Sequence, residues 1–179
     1  MQKQSIAELG EMVTVSGKSV EELSNKQPVL LVFLRHFGCT FCREALADLS
    51  KHKKDLDAHG SELVLVHMSD RETAERYFKK YRLENSLHVS DPSCRFYRAF
   101  GLTKGSPKQL FGLQSWIRGF EAGLVKGHGV GTRQLGDGFQ MPGVFVIDNG
   151  QVAAAFVHKL ASDRPEYVEL VRQCCAIGE

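Results

Sequence analysis

The fold of this chain is indicated most strongly by the stretch Phe33-Leu34-Arg35-His36-Phe37-Gly38-Cys39-Thr40-Phe41-Cys42-Arg43-Glu44. It overlaps the end of an apolar, partly β-branched run, residues 29–34, which is typical of a strand buried on both faces. From Thr40 to about Asp57 apolar residues recur on one side and lysines on the other, which predicts an amphipathic helix. The two cysteines therefore lie where a buried strand ends and a helix begins.

This position suits thiol chemistry. The first turn of a helix has unpaired N–H groups and a partial positive charge, which favour an anion, and the thiolate is the reactive form of cysteine. Cys39 is predicted to be the attacking thiolate, and Cys42 to resolve the resulting sulfenic acid or mixed disulfide by forming an intramolecular disulfide. The sequence alone leaves the reverse assignment open.

Neighbouring residues are candidates to support the thiolate. Hydroxyl and backbone N–H groups at the helix start can stabilise negative charge, and nearby cationic side chains can add to that effect. Because successive side chains of an extended segment point in opposite directions, only one of Arg35 and His36 is expected to face the cysteines. The candidates in this stretch are Arg35, His36, Thr40, Phe41 and Arg43.

Length and composition exclude several classes of protein. The chain has 179 residues, 42% of them hydrophobic and 25% charged, and is predicted to form a single domain over 1–179. A net charge of +2 gives no electrostatic case for nucleic acid or an anionic membrane. No apolar run approaches the roughly 20 residues that span a bilayer. Five cysteines and a polar start at Met1 argue against a disulfide scaffold and a signal segment, which predicts a cytoplasmic protein.

The order of the predicted elements indicates an α/β fold. After an N-terminal extension, residues 1–27, the pattern is strand, helix, strand, polar helix, short strand and short helix. This order predicts a right-handed parallel βαβ unit at its start. Residues 102–140 are predicted to be an insertion that contains a helix with Trp116 and a glycine-rich loop. A hairpin turning at Asn149-Gly150 and a final helix close the chain. In the extension, Glu11 to Val15 is predicted to be an edge strand.

A CxxC pair after a strand, followed later by a ββα unit, resembles the thioredoxin fold. The resemblance implies a mixed central sheet flanked by helices, with the insertion between the βαβ and ββα halves. Met141-Pro142 is similar to the step before the third core strand of that fold. By this likeness the Met141–Pro142 peptide bond is expected to be cis and to lie beside the reactive cysteines.

The likeness is closest to the peroxiredoxin-like, selenoprotein L-related branch of the alkyl hydroperoxide reductase and thiol-specific antioxidant superfamily. The motifs that carry it are the cysteine stretch, Asp91-Pro92, Phe96-Tyr97-Arg98-Ala99-Phe100-Gly101-Leu102, Leu110-Phe111-Gly112, Trp116, Arg118-Gly119 and Gly136-Asp137-Gly138-Phe139-Gln140-Met141-Pro142-Gly143. The resemblance implies a thiol-dependent antioxidant enzyme that needs no cofactor and takes electrons from a thioredoxin- or glutathione-type donor. Its substrate would be a small hydroperoxide or disulfide. It also implies an arginine near the thiolate, for which Arg118 and Arg133 are candidates, and is compatible with a homodimer.

Other interpretations of the same residues remain open at this point. Peroxiredoxins carry a Pro-x-x-x-Thr-x-x-Cys pattern; setting Cys42 on its cysteine puts Cys39 at the threonine and Arg35 at the proline, which would make Cys42 the attacking thiol. The pair could equally serve a thiol-disulfide or carbonyl/endoperoxide reductase, or a non-catalytic redox sensor. A zinc site is disfavoured because zinc prefers four ligands and no second CxxC follows. Cys94, Cys174 and Cys175 are expected to be packing or surface residues.

Overall fold

One mixed sheet forms the centre of the described chain, with its strands in the order β1-β6-β5-β2-β3-β4. The structure is a computed structural model that describes residues 4–106, 109 and 136–175. The strands are β1 (Gln4–Ser5), β2 (Val29–Phe33), β3 (Glu62–His67), β4 (Leu87–Ser90), β5 (Gly143–Asp148) and β6 (Gln151–Val157). β2, β3 and β4 are parallel, whereas β5 is antiparallel to both β2 and β6. The predicted α/β class and mixed sheet are confirmed.

Two of the described helices begin at residues whose side chains cap them. Ser19 and Glu22 form a reciprocal capping box at the start of α1, and the Asp70 carboxylate accepts from the backbone N–H of Thr73 at the start of α3. The α-helices are α1 (Val20–Ser24), α2 (Thr40–Ala58), α3 (Arg71–Lys80), α4 (Arg95–Ala99) and α5 (Tyr167–Cys175). A 3₁₀ turn covers Ala7–Gly10. None of these helices combines the length and apolarity needed to span a bilayer.

Both faces of β2 are covered, as its apolar run predicts. Leu30 and Val32 belong to one apolar cluster with residues of α2, α3 and α5, whereas Leu31 and Phe33 belong to another with residues of α4 and the N-terminal segment. All five strand residues are buried. Because the strand is held on both sides, its C-terminal end is a rigid origin for the residues that follow, Leu34 to Cys39.

Tyr97 holds the C-terminal end of β2 through its hydroxyl group. Its hydroxyl donates to the backbone carbonyl of Leu34 at 2.6 Å and lies 3.1 Å from that of Val66. The carboxylate of Asp91 in turn accepts from the backbone N–H groups of Arg95 and Phe96, at 2.9 and 2.7 Å, and so caps α4. The Asp91-Pro92 motif therefore positions the tyrosine that holds the end of β2.

Three expectations change or go untested. The prediction of an edge strand over 11–15 is wrong, because the chain there makes a turn with a single bridge from Val13 to Ser19. The edge position beside β6 is taken by Gln4–Ser5. The Met141–Pro142 peptide bond is trans, so the expected cis bond is also wrong. The predicted helix around Trp116 lies outside the described residues, and the division into one domain with an extension and an insertion stays a prediction.

Candidate active site

Cys39 stands at the boundary between strand end and helix. It is the N-cap of α2 with an extended backbone, and its side chain is half-buried. Its backbone N–H donates to the carbonyl of His36 at 3.0 Å, and its own carbonyl accepts the first helical hydrogen bond, from Arg43. The sulfur does not cap the helix. Its polar contact comes from a side chain four residues earlier.

That side chain is Arg35, an arginine buried to 6% exposure. Its Nη1 donates to Cys39 Sγ at 3.0 Å, its Nε donates to the carbonyl of Gln140 at 3.3 Å, and its Nη2 donates to the carbonyl of Gly138. The two carbonyls belong to the loop before β5 and hold the planar guanidinium in place. Since a fixed guanidinium is a strong donor to an anionic acceptor, this arrangement suits a thiolate at Cys39.

Cys42 has the opposite surroundings. It is 2% exposed, and its Sγ–H donates to the backbone carbonyl of Arg35 at 3.2 Å. Burial, with a smaller effect from neighbouring Cys39, raises the pKa of the Cys42 thiol well above its ordinary 9.0. Cys42 is therefore a neutral thiol at neutral pH. Neither cysteine is in a disulfide, so the structure represents the dithiol form.

The other predicted neighbours are distributed around this pair. Thr40 is exposed as the first residue of α2, and Phe41 packs against Met141 and Ala161. Arg43 donates from Nε to the carbonyl of Phe37 at 3.3 Å, which closes the turn before the helix. Pro142 is buried and lines a cavity together with Cys42.

His36 points to a different neighbour from Arg35. Its ring is half-buried beside the loop that carries Gly136 and Gly138. Gly136 has a φ of +125°, and a Cβ there would lie 3.0 Å from Cβ of Met68, so the loop approaches this closely only with glycine. Burial, and next the Arg35 charge, lowers the pKa of His36. Of the two adjacent candidates, Arg35 is the one that donates a hydrogen bond to the thiol, as the alternation predicts.

A small cavity of about 30 Å³ lies behind Cys42, between α2 and the segment from His158 to Tyr167. Two ion pairs hold that segment against α2: Arg164 bonds the carboxylates of Glu44 and Asp48. Sequence reasoning did not single out His158, Arg164 or Tyr167. No motif marks them, because they reach the cysteines only through the packing of α5 and its preceding loop on α2.

Cys94 and Cys174 make no described contact with the cysteine pair. Cys94 is buried at the start of α4, and Cys174 is buried in α5, as expected for packing residues. Arg118 and Arg133 lie outside the described residues, so their roles stay predictions, and the arginine found at the thiol is Arg35. Within the described ranges, no group of three or more His, Cys, Asp or Glu is arranged to hold a metal ion.

The AhpC/TSA antioxidant enzyme family model matches residues 48–162, well over half of the chain. The chain belongs to the AhpC/TSA antioxidant enzyme family. The match starts after Cys42, so family membership rests on the body of the fold rather than on the cysteine pair. The predicted peroxiredoxin-like, thioredoxin-fold resemblance is thereby confirmed.

Named relatives cover most of the chain. Prostamide/prostaglandin F synthase of Sus scrofa is 30% identical over 171 residues, which are 92% of this chain and 83% of that protein. Thioredoxin-like protein AAED1, chloroplastic, of Arabidopsis thaliana is 27% identical over 88% of this chain and 66% of its own length. Among solved structures, the bacterioferritin comigratory protein of Xanthomonas campestris has a TM-score of 0.64 at 12% identity and covers 98% of each chain. At that identity the likeness shows the fold.

Proposed function

We propose that this protein reduces hydroperoxides through a dithiol–disulfide cycle of Cys39 and Cys42. Membership of an antioxidant enzyme family supports the reaction class. The observation that carries the assignment of residues is the contrast between the two sulfurs. Cys39 is accessible and accepts a hydrogen bond from a fixed guanidinium at 3.0 Å, whereas Cys42 is enclosed and keeps its proton.

The cycle begins at Cys39. Its thiolate attacks one oxygen of the hydroperoxide, the O–O bond breaks, and the other oxygen leaves as an alcohol or water after taking up a proton. Cys39 then carries a sulfenic acid. The Arg35 guanidinium stabilises the negative sulfur before attack and remains next to the oxygen that sulfur acquires.

Resolution follows at Cys42. Once deprotonated, its sulfur attacks Cys39 Sγ, the S–O bond breaks, and the hydroxide leaves as water. A Cys39–Cys42 disulfide results, and the two electrons that the thiols lose have gone to the hydroperoxide. A thioredoxin- or glutathione-type thiol donor then reduces the disulfide by exchange and restores the dithiol. The partner and the cytoplasmic setting remain proposals.

The test is hydroperoxide consumption by the purified chain with either donor system. Turnover with a dithiol donor supports a catalytic cycle and argues against a non-catalytic redox sensor. Reduction of insulin disulfides at a comparable rate would instead favour a general thiol-disulfide reductase. No hydroperoxide turnover with either donor, while the Cys39–Cys42 pair remains reduced, would overturn the proposal.

A second candidate is reduction of an endoperoxide. It is favoured by the relatives named prostamide/prostaglandin F synthase in Danio rerio and Sus scrofa, which align with 89% and 92% of this chain. An endoperoxide contains the same O–O bond. Attack by Cys39 would open it to one hydroxyl group and a sulfenate ester, and attack by Cys42 on Cys39 Sγ would then release the second hydroxyl group as the disulfide forms. Competition between an endoperoxide and a small hydroperoxide in one assay would rank the two substrate classes.

A further inference from the structure

The cavity behind Cys42 has a feature that the cycle above does not use. The residues that line it include Cys42, Arg35 and His158, which follows the end of β6. At about 30 Å³ it has the volume that a water molecule needs. One water in this cavity is enough to carry a proton from one lining group to another.

His158 has one ring nitrogen that lacks a partner. Among the described residues, its Nδ1 is buried and makes no hydrogen bond. The ring itself is held by an edge-to-face contact with Phe156, with centroids 5.0 Å apart. Buried polar atoms are nearly always paired, so an unpaired one calls for an explanation such as a catalytic role.

We propose that His158 accepts the proton of Cys42 across this cavity and so allows Cys42 to attack oxidised Cys39. This inference rests on the proposed dithiol cycle and adds to it the base that the resolving step needs. A thiol that is 2% exposed and hydrogen-bonded to a carbonyl is a poor nucleophile until its proton is removed.

The proton balance is complete at each step. Cys42 Sγ–H gives its proton to the imidazole, directly or through one water, and the resulting thiolate attacks Cys39 Sγ. When the oxidised form is a sulfenic acid, the leaving hydroxide takes this proton from the imidazolium and departs as water, which returns the imidazole to its neutral form. When the disulfide is later reduced, Cys42 leaves as a thiolate and takes up the proton that the attacking thiol of the donor has given up.

The protonation state of His158 fits this role. Burial is the largest effect and lowers the pKa of His158. The charge of Asp163 and hydrogen bonding to the backbone of Asp163 and Pro142 oppose it, and the Arg35 charge lowers the pKa by the smallest amount. The imidazole is therefore neutral at neutral pH and able to accept a proton. The other titratable or charged groups around the cavity are Cys42, Glu44, Asp48, Arg164 and Tyr167. Arg164 is paired with both carboxylates, so neither is an unpaired charge facing the imidazole.

The experiment isolates the resolving step without a hydroperoxide. A chromogenic aromatic disulfide converts Cys39 to a mixed disulfide, and Cys42 then displaces the aromatic thiol. Samples quenched with N-ethylmaleimide are digested with trypsin, which cleaves after Arg35 and Arg43. The peptide 36–43 contains Cys39 and Cys42 and none of the other cysteines. Its mass separates the mixed disulfide from the internal disulfide.

The variants are His158→Gln and, as a matched control, His52→Gln on the exposed side of α2. We expect His158→Gln to slow conversion of the mixed disulfide about 10-fold or more near pH 7, with formation of the mixed disulfide within about twofold of wild type. The wild-type rate should fall in acid as His158 becomes protonated, and the variant should lack that inflection. Equal conversion rates and equal pH profiles for wild type and His158→Gln would overturn the proposal.

Added imidazole separates a proton acceptor from a structural residue. In His158→Ala, recovery of the conversion rate with imidazole supports the proposal, whereas a slow rate that imidazole leaves unchanged assigns His158 to packing and overturns it. The proposed function can fail independently. If hydroperoxide leaves peptide 36–43 reduced while the aromatic disulfide still yields the internal disulfide, peroxide reduction is wrong and the role of His158 stands.

Discussion

Two sulfurs three residues apart occupy very different surroundings in this protein. Cys39 is half-buried at the start of α2 and receives a hydrogen bond from a cationic side chain. Cys42, one turn further on, is 2% exposed and donates a hydrogen bond to a carbonyl. The helix geometry alone would make them similar. The difference comes from what the rest of the chain packs against each, and it supports assigning attack to one and resolution to the other.

The largest expected effect is loss of one sulfur. Cys39→Ser should reduce hydroperoxide turnover by about 1000-fold or more, because serine is a far weaker nucleophile than a thiolate. Cys42→Ser should still consume about one equivalent of peroxide and stop at a sulfenic acid on Cys39. A dimedone adduct on peptide 36–43 measures this. Turnover retained in Cys39→Ser and lost in Cys42→Ser would reverse the comparison.

The next effect concerns the donor to Cys39. Arg35→Lys keeps the charge but loses the three-way geometry that holds it against the thiol, so Cys39 oxidation should slow roughly 10- to 100-fold. Stopped-flow measurement of a single turnover gives the rate. The matched control is Arg43→Lys, because the Nε of Arg43 donates to a backbone carbonyl and not to a thiol. No loss in Arg35→Lys would mean that positive charge is enough without the contact at Sγ, and equal losses in both variants would mean that the contact at Sγ has no special role.

A stability measurement sharpens the contrast at Cys42. Its pKa is raised in the folded state above the 9.0 of an ordinary thiol, so on alkalinisation the unfolded chain loses this proton first. The Cys42 thiol therefore adds to the free energy of unfolding below about pH 9, and this stabilisation is lost as the pH rises further. The free energy of unfolding should fall by roughly 2 kcal/mol between about pH 9 and about pH 10.5. Urea unfolding of Cys42→Ser should lack this decline, and Cys39→Ser should keep it. Identical alkaline slopes in wild type and Cys42→Ser would contradict a protected thiol.

The smallest effect is expected at the ion pairs behind Cys42. Arg164 is half-exposed, so Arg164→Gln should lower the free energy of unfolding by less than about 1 kcal/mol. Arg71→Gln, which removes an exposed pair with Glu75 on α3, is the control. Thermal unfolding measures both. A loss for Arg164→Gln several times that of the control would show that the segment holding His158 depends on these pairs more than their exposure suggests.

Local patterns predicted most of the described fold. The apolar run of β2 and the Asn149-Gly150 turn each act within a few residues, and each is found. One expectation drawn from likeness alone is wrong, because the bond at Met141–Pro142 is trans. Another stays a prediction, because Arg118 and Arg133 lie outside the described residues; within those residues, Arg35 is an arginine that contacts the thiol.

The partners of Arg35 could not have been derived from the sequence. Its acceptors Gly138 and Gln140 are 103 and 105 residues away along the chain. They meet because β2 and β5 are adjacent antiparallel strands, which brings the loop before β5 against the end of β2. The same holds for His158, which reaches the Cys42 cavity at the far end of the β5–β6 hairpin.

The sequence by itself determined that two cysteines lie between a buried strand and a helix, because periodicity and capping depend on residues close together in the chain. Only the tertiary structure decided which sulfur is covered, which cation contacts the other, and which imidazole shares a cavity with the buried thiol. Burial and hydrogen-bond geometry depend on segments brought together by sheet pairing and helix packing, and no local pattern specifies those distances.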